Sequence, residues 1–179
     1  DCSDTSTWNA GAGFEPVGNN SDRFTGTFYG YDNSIDNLFI NRSGIPHTGL
    51  FGFISYGTFN DINLIDVYIN GGYYTGSLIG YIYYDTTITN AYASGEVLGE
   101  DNVGGLVGYH YSVNGYFDNL AFEGNVTGNL TGSASNNVLK VGDTMTGQLT
   151  LPSSDPTNEN HATRKSYVDR KAFVNGLLF

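Results

Sequence analysis

Residues 103–110 read VGGLVGYH: two adjacent glycines, two aliphatics, a third glycine and an aromatic, the kind of stretch that could cradle a phosphate. A phosphate site of that type needs a strand before the loop and a helix behind it, with the helix N-terminus facing the anion. Neither is expected here. No segment before residue 155 has helical periodicity, and no Gly-Lys-Ser or Gly-Lys-Thr follows any of the glycines. Metal chemistry finds no better footing. His47, His110 and His161 stand far apart, no pair has ligand spacing, and the single cysteine, Cys2, cannot complete a zinc site. Asp32-Asn33 and Glu100-Asp101-Asn102 offer oxygens without the alternation of a calcium loop and read as solvated turns. The patterned residue type is the aromatic. Tyr31, Phe53, Tyr81 and Tyr109 each follow a glycine in the same phrase, and Tyr83 and Tyr111 recur two positions on. A stripe of such rings is a platform for sugars, apolar face on aromatic face with hydroxyls free to hydrogen-bond. It is equally a structural ladder, or a stripe buried between subunits.

The stripe requires elements that repeat. The phrases FTGTFYGY, HTGLFGFI, TGSLIGYI and VGGLVGYH align on Gly30, Gly52, Gly80 and Gly108, the first interval short and the next two equal. Phe28, Leu50, Leu78 and Leu106 stand two positions before those glycines. A fixed period in the twenties is a solenoid signature, because one unit cannot bury its apolar face until a neighbour stacks on it. A second phrase repeats in each unit and starts at Ile35, Phe59, Ile88 and Phe117. Within it Leu38 and Ile40 match Ile62 and Leu64, Ala91 and Ala93, and Leu120 and Phe122, pairs at the alternating period of a half-buried strand. Asn37, Asp61, Asn90 and Asn119 precede those pairs, which predicts a ladder of side-chain hydrogen bonds between rungs, with Asp61 in need of a donor opposite it. The glycines then serve turns and close backbone approach between stacked strands.

Composition agrees with short strands and many turns. The 179 residues include 25 Gly, 14 Tyr and 11 Phe against one Met and one Trp. No apolar run approaches the roughly 18 residues of a membrane-spanning helix. The chain does not begin with Met, which reads as a processed chain or a piece of a longer one. Residues 1–126 hold fourteen acids and only two bases, Arg23 and Arg42. So acidic a body repels phosphate backbones, which argues against nucleic-acid binding and for solubility at high salt or high concentration. Residues 127–179 hold five bases and four acids. Composition shifts near Val126, through the small polar run VTGNLTGSASNN to an alternating run through Met145, Gly147, Leu149 and Leu151. Residues 161–174, HATRKSYVDRKAFV, are the helical candidate, with Asn160 as a cap and Val168 and Ala172 on one face. That face is thin, so the helix is expected to pack against copies of itself or another part of the chain.

Two stretches resemble known families. FEPVG, then FTGTFYGYDNSIDNLFI, TGLFGFI and VGGLVGY, over about residues 8–126, resemble GLUG repeats. The matching positions are Phe14, Pro16, Val17, Gly18, Phe24 to Phe28, Gly30, Ile35, Asn37, Leu38 and Ile40, with a departure at Thr48. That resemblance implies a β-solenoid of the kind carried by secreted adhesins and other surface proteins. NVTGNLTG and VGDTMTGQLTLPSSDPTNENHATRKSYVDRK, over about residues 125–171, are similar to a segment of tailed-bacteriophage tail fibres. That resemblance implies a trimeric virion fibre, with the helix near the three-fold axis. Neither family supplies catalytic residues.

The expectation is therefore an all-β chain. A short parallel β-solenoid, its rungs close to the period of the repeated phrases, occupies residues 1–126 and leads into a β-rich neck (127–159) and a short helix with its tail (160–179). The expected function is that of a homotrimeric virion fibre segment, alongside other fibre or tail proteins, which attaches to a host-surface glycan by non-catalytic binding. Tyr31, Phe53, Tyr81, Tyr83, Tyr109 and Tyr111 are the candidate contact residues, and Tyr167, Val168 and Ala172 the candidate trimer contacts. No catalytic residue, metal or cofactor is expected. The rival readings are a purely structural spacer, a bacterial cell-surface adhesin, and a polysaccharide depolymerase. The last needs paired carboxyls roughly 5 to 10 Å apart, whereas the acids scatter over turns.

Overall fold

The computed structural model describes residues 1–31, 33–112 and 114–129. Residues 130–179 fall outside them, and with them the expected neck beyond its first three residues, the expected C-terminal helix and the three candidate trimer contacts; residues 127–129 belong to the last strand. The described chain is mostly β, a parallel solenoid of about three turns with very little helix. 3-10 turns over Ser3–Gly11, kinked at Trp8, Asn9 and Ala10, are followed by ten strands. These are β1 (Thr27–Tyr29), β2 (Ser34–Asp36), β3 (Phe39–Asn41), β4 (Phe51–Ile54), β5 (Thr58–Asn70), β6 (Tyr73–Gly76), β7 (Ile79–Ile82), β8 (Thr87–Gly104), β9 (Val107–His110) and β10 (Tyr116–Asn129). A wide sheet is built on β1-β5-β8-β10, with β2 and β3 paired to β5 and β6 to β8; a narrow sheet is β4-β7-β9. Among the described residues no helix is long and apolar enough to cross a membrane.

Stacked rungs bury identical register positions over one another, which is what a single unit cannot do alone. Ile62, Ala91 and Leu120 form one column, and Leu64, Ala93 and Phe122 the next, as the spacing predicts. Leu50, Leu78 and Leu106 are all buried, and backbone N–H groups of Leu50 and Leu78 donate to Ser77 and Leu106 on the following rung. The glycines of the repeated phrase are where backbones meet. A Cβ on Gly80 would lie 2.6 Å from the Thr48 nitrogen, and one on Gly108 2.6 Å from the Thr75 nitrogen.

The first rung departs from the expected register. Thr27, Phe28 and Tyr29 pair with Thr58, Phe59 and Asn60, so Phe28 joins Phe59, not the Leu50 column. Ile35 pairs with Leu64, and Ile40 with Ile69, five positions beyond the matches expected from the sequence. The short first interval arises from aligning on Gly30. Gly-Thr-Phe at positions 26–28 and 57–59 is the true repeat, and the spacing from Ile35 to Leu64 then matches the later rungs. An aliphatic run offers several registers of similar burial; the corner residues choose among them.

Those corners are left-handed. Asp61, Asn90 and Asn119 share φ of 57°, 53° and 52°; Asn37 and Asp66 have 59° and 53°, and Gly95 and Gly124 continue that column at 128° and 146°. His47, Tyr74 and Asn102 make a third column at 61°, 62° and 55°. Such backbone costs a non-glycine residue about 1–2 kcal/mol and is eased where a short polar side chain bonds locally. The expected ladder supplies such bonds at the first column. Asn119 Nδ2 donates to Asn90 Oδ1 at 2.9 Å, and Asn90 Nδ2 to Asp61 Oδ1 at 3.0 Å. Asp61 receives its further donor from Asn60 Nδ2 at 3.0 Å. Asn37 is not a rung of this ladder; its amide donates to Asp1 Oδ1 at 3.1 Å.

Candidate functional site

The narrow sheet places one aromatic per rung at a single register position, Phe53 beside Tyr81 beside Tyr109. Tyr83 and Tyr111 follow just past β7 and β9, and their backbone N–H groups donate to the Ile54 and Ile82 carbonyls, 3.1 and 2.9 Å. Ring centroids are 4.7 Å apart for Phe53 and Tyr81, at 84°, and 5.3 Å for Tyr81 and Tyr109, at 28°. Tyr83 and Tyr111 lie 5.4 Å apart and 8° from parallel. Nearly parallel rings at that distance overlap in an offset stack. Part of each face is therefore taken by its neighbour. Accessibility rises up the stack: Phe53 is 4% exposed, Tyr81, Tyr83 and Tyr109 are half-buried, and Tyr111 is 60% exposed.

Tyr31 stands apart from this row. It occupies a left-handed turn after β1, is 72% exposed, and its ring neighbour is Tyr29 at 5.5 Å. The sequence phrase around Gly30 resembles the later ones, but its strand belongs to the wide sheet, so the residue after its glycine points elsewhere. The structure thus brings together five of the six aromatics expected to form one stripe. Tyr167, Val168 and Ala172 lie outside the described residues.

The row has more members than its spacing revealed. His47 stacks on Phe53 at 4.9 Å and on Tyr74 at 5.4 Å, each 6° from parallel, and Tyr74 reaches Tyr81 and Tyr109. Tyr56 stacks on Tyr84, and Tyr84 packs edge-on against Tyr83. Burial holds His47 below the ordinary histidine range, so its ring is neutral at pH 7. Burial, and then the phenols of Tyr109, Tyr74, Tyr111 and Tyr83, push the Tyr81 hydroxyl above the ordinary range, so it remains a donor. A hydrogen bond with Tyr83 does the same for Tyr84. Arg23 completes the patch. Its guanidinium carbon lies 4.8 Å from the Phe53 ring centre and 4.4 Å from that of Tyr83. The steps from His47 to Tyr74 and from Tyr56 to Tyr84 are close to the repeat period, and were legible signals. Arg23 had none, because it precedes the first full rung.

At the top of the adjacent core column His110 continues Ile54 and Ile82. Its ring meets Phe117 edge-on at 5.0 Å, and its Nε2 is enclosed without a hydrogen-bond partner. Burial lowers its pKa, against an opposing pull from Asp85.

Part of this sequence is similar to known proteins. The GLUG motif matches residues 71–98, the stretch from the end of β5 through β7 into β8. The chain carries a GLUG motif. It is also 42% identical over 107 residues to halomucin of Haloquadratum walsbyi (strain DSM 16790 / HBSQ001), a match covering 59% of this chain and 1% of halomucin. No solved structure matches the chain.

Proposed function

We propose that residues 1–129 form a non-catalytic attachment module of a surface-exposed repeat protein, with the aromatic face of the narrow sheet as its contact surface. The observation that carries this reading is the convergence of Tyr81, Tyr83, Tyr109 and Tyr111 on adjacent rungs of one face, Tyr111 the most open of them. Tyrosines give contact area at low entropic cost and leave hydroxyls for hydrogen bonds, which suits the alternating apolar and polar surface of a sugar chain. The GLUG motif and the likeness to halomucin support a surface-associated repeat protein.

The carrier is a virion fibre in our reading, and a homotrimer. The ordered run from Gly142-Asp143-Thr144-Met145 through Tyr167-Val168-Asp169, similar to tail-fibre segments, favours it. The likeness to halomucin favours the second reading, a cell-surface adhesin. Adsorption of the intact chain to candidate host cells, with light scattering on the same sample, tests both parts. Saturable adsorption by a trimer supports the fibre. Adsorption by a monomer leaves the attachment module and removes the fibre. Absence of adsorption to any glycan-bearing surface removes attachment and leaves a structural spacer. Release of reducing sugar from a bound polysaccharide would overturn the non-catalytic part.

A further inference from the structure

We infer that the aromatic patch selects a glycan bearing an anionic group, a carboxylate or a sulfate, and that Arg23 is the residue that selects it. This rests on the attachment reading above and adds the class of ligand. Residues 1–126 hold fourteen acids and two bases. One base is occupied: Arg42 Nε donates to the Phe14 carbonyl at 3.1 Å. The other, Arg23, is exposed and stands on the tyrosine patch, its guanidinium carbon close to the rings of Phe53 and Tyr83, which lie nearly perpendicular to each other. Among the described residues no carboxylate forms an ion pair with it, although its own neighbour in the chain is Asp22. Among the described residues neither arginine has a carboxylate partner, and what sets Arg23 apart is its place over the rings.

Cation–π attraction holds a guanidinium over a ring and leaves an N–H edge for another partner. That edge matches two oxygens of a carboxylate or sulfate bidentately. The tyrosines beside it complete the recognition. Tyr81 is kept protonated, so its hydroxyl is a donor to an acceptor-rich group. His47, neutral and stacked below, adds no charge of its own. The surrounding acids oppose a polyanion at long range. Ionic screening limits that repulsion to about 8 Å at physiological salt, while a bidentate contact acts at hydrogen-bond distance. A ligand recognised this way is therefore bound better in moderate salt than in very low salt, the reverse of an ordinary basic patch.

The test uses the intact chain and three probes at fixed ionic strength: oligogalacturonate, sulfated dextran and neutral dextran. An anionic probe is expected to bind about tenfold tighter than neutral dextran, the effect of one charge-assisted contact. Arg23→Gln should erase that preference, Arg23→Lys should keep part of it, and both should still melt cooperatively, Arg23→Gln only slightly lower for its lost ring contacts. Equal binding of neutral and anionic probes, or an unchanged preference in Arg23→Gln, overturns the inference and leaves the attachment reading standing. Failure of all three probes to bind overturns both. Equal, Arg23-dependent binding of an oligoglutamate peptide would show a carboxylate site without glycan selectivity, and overturns the glycan part.

Discussion

Two ladders run up this solenoid, and they solve the same stacking problem with opposite chemistry. On the wide sheet, Asp61, Asn90 and Asn119 pass hydrogen bonds from rung to rung, and each amide or carboxylate finds its partner within the chain. On the narrow sheet, Phe53, Tyr81 and Tyr109 stack rings, with Tyr83 and Tyr111 beside them. An amide ladder uses its polar groups to hold the corner, and little is left over for a ligand. An aromatic ladder uses ring area to hold the rungs and leaves its hydroxyls for something else. The polar-looking ladder is thus the structural one, and the apolar-looking ladder is the face that can recognise.

The largest effect should come from breaking the core both ladders share. Leu106→Asp puts an unpaired charge in a buried column and is expected to cost several kcal/mol, enough to abolish cooperative melting of the upper rungs. If the variant is soluble and melts as the parent does, Leu50, Leu78 and Leu106 do not form a buried column. Next, Asn90→Ala cuts the amide ladder at its middle and leaves a β-carbon in left-handed backbone, a loss of about 1–2 kcal/mol. Asn90→Gly keeps the backbone and removes only the bonds, so it should recover part of that loss. Equal melting of the two variants would show that the hydrogen bonds, and not the corner, carry the effect.

Acid separates the ladders further. His47 and His110 both have folded pKa values lowered from 6.5 by burial. Their neutral forms are favoured in the fold, so this stability is present above pH 6.5 and is lost as pH falls through the lowered values. Melting temperature should drop on that side, and His47→Phe, which keeps the stack on Phe53 and Tyr74, should flatten the profile. His110→Ile, restoring the residue type of Ile54 and Ile82 below it, should flatten it further and raise stability by about 1 kcal/mol. A stability profile that stays unchanged in the double variant would place the acid sensitivity elsewhere.

The smallest effect on stability should have the largest effect on function. Tyr111→Ala, at the open end of the row, removes a single ring contact, with Tyr83, of about 0.5 to 1.5 kcal/mol. Adsorption should fall far more than melting does, because in the proposed trimer three copies of a weak site lose their effective concentration together. Normal adsorption by this variant would make the aromatic ladder as structural as the amide one.

The second, third and fourth rungs were legible because each repeats the one before at a nearly constant interval, with Leu, Ile and Ala alternating in and out along each strand. The first rung was not. Phe28, Ile35 and Leu38 each suit a core position in more than one register, and glycine at position 30 imitates the one at 52. The stripe suffered from the same ambiguity at Tyr31, while Tyr74 and Tyr84 stand outside the repeated phrase although each stacks on a ring about one period back, His47 and Tyr56.

What could be read from the residues alone is everything that follows from translation along one axis: the solenoid, its period, the leucine column, the amide ladder above Asp61 and the alignment of Tyr81 with Tyr109. Residues one period apart stack whatever the shape of the rung. What lies around a rung emerged only in the folded chain. The left-handed corners at Asp61, Asp66 and Tyr74 set which strand faces which, and so bring His47 and Arg23 onto the rings and send Tyr31 away from them. A corner is a choice of backbone dihedral at one residue, and no periodicity encodes it. The angle at which the chain turns fixes which side chains meet.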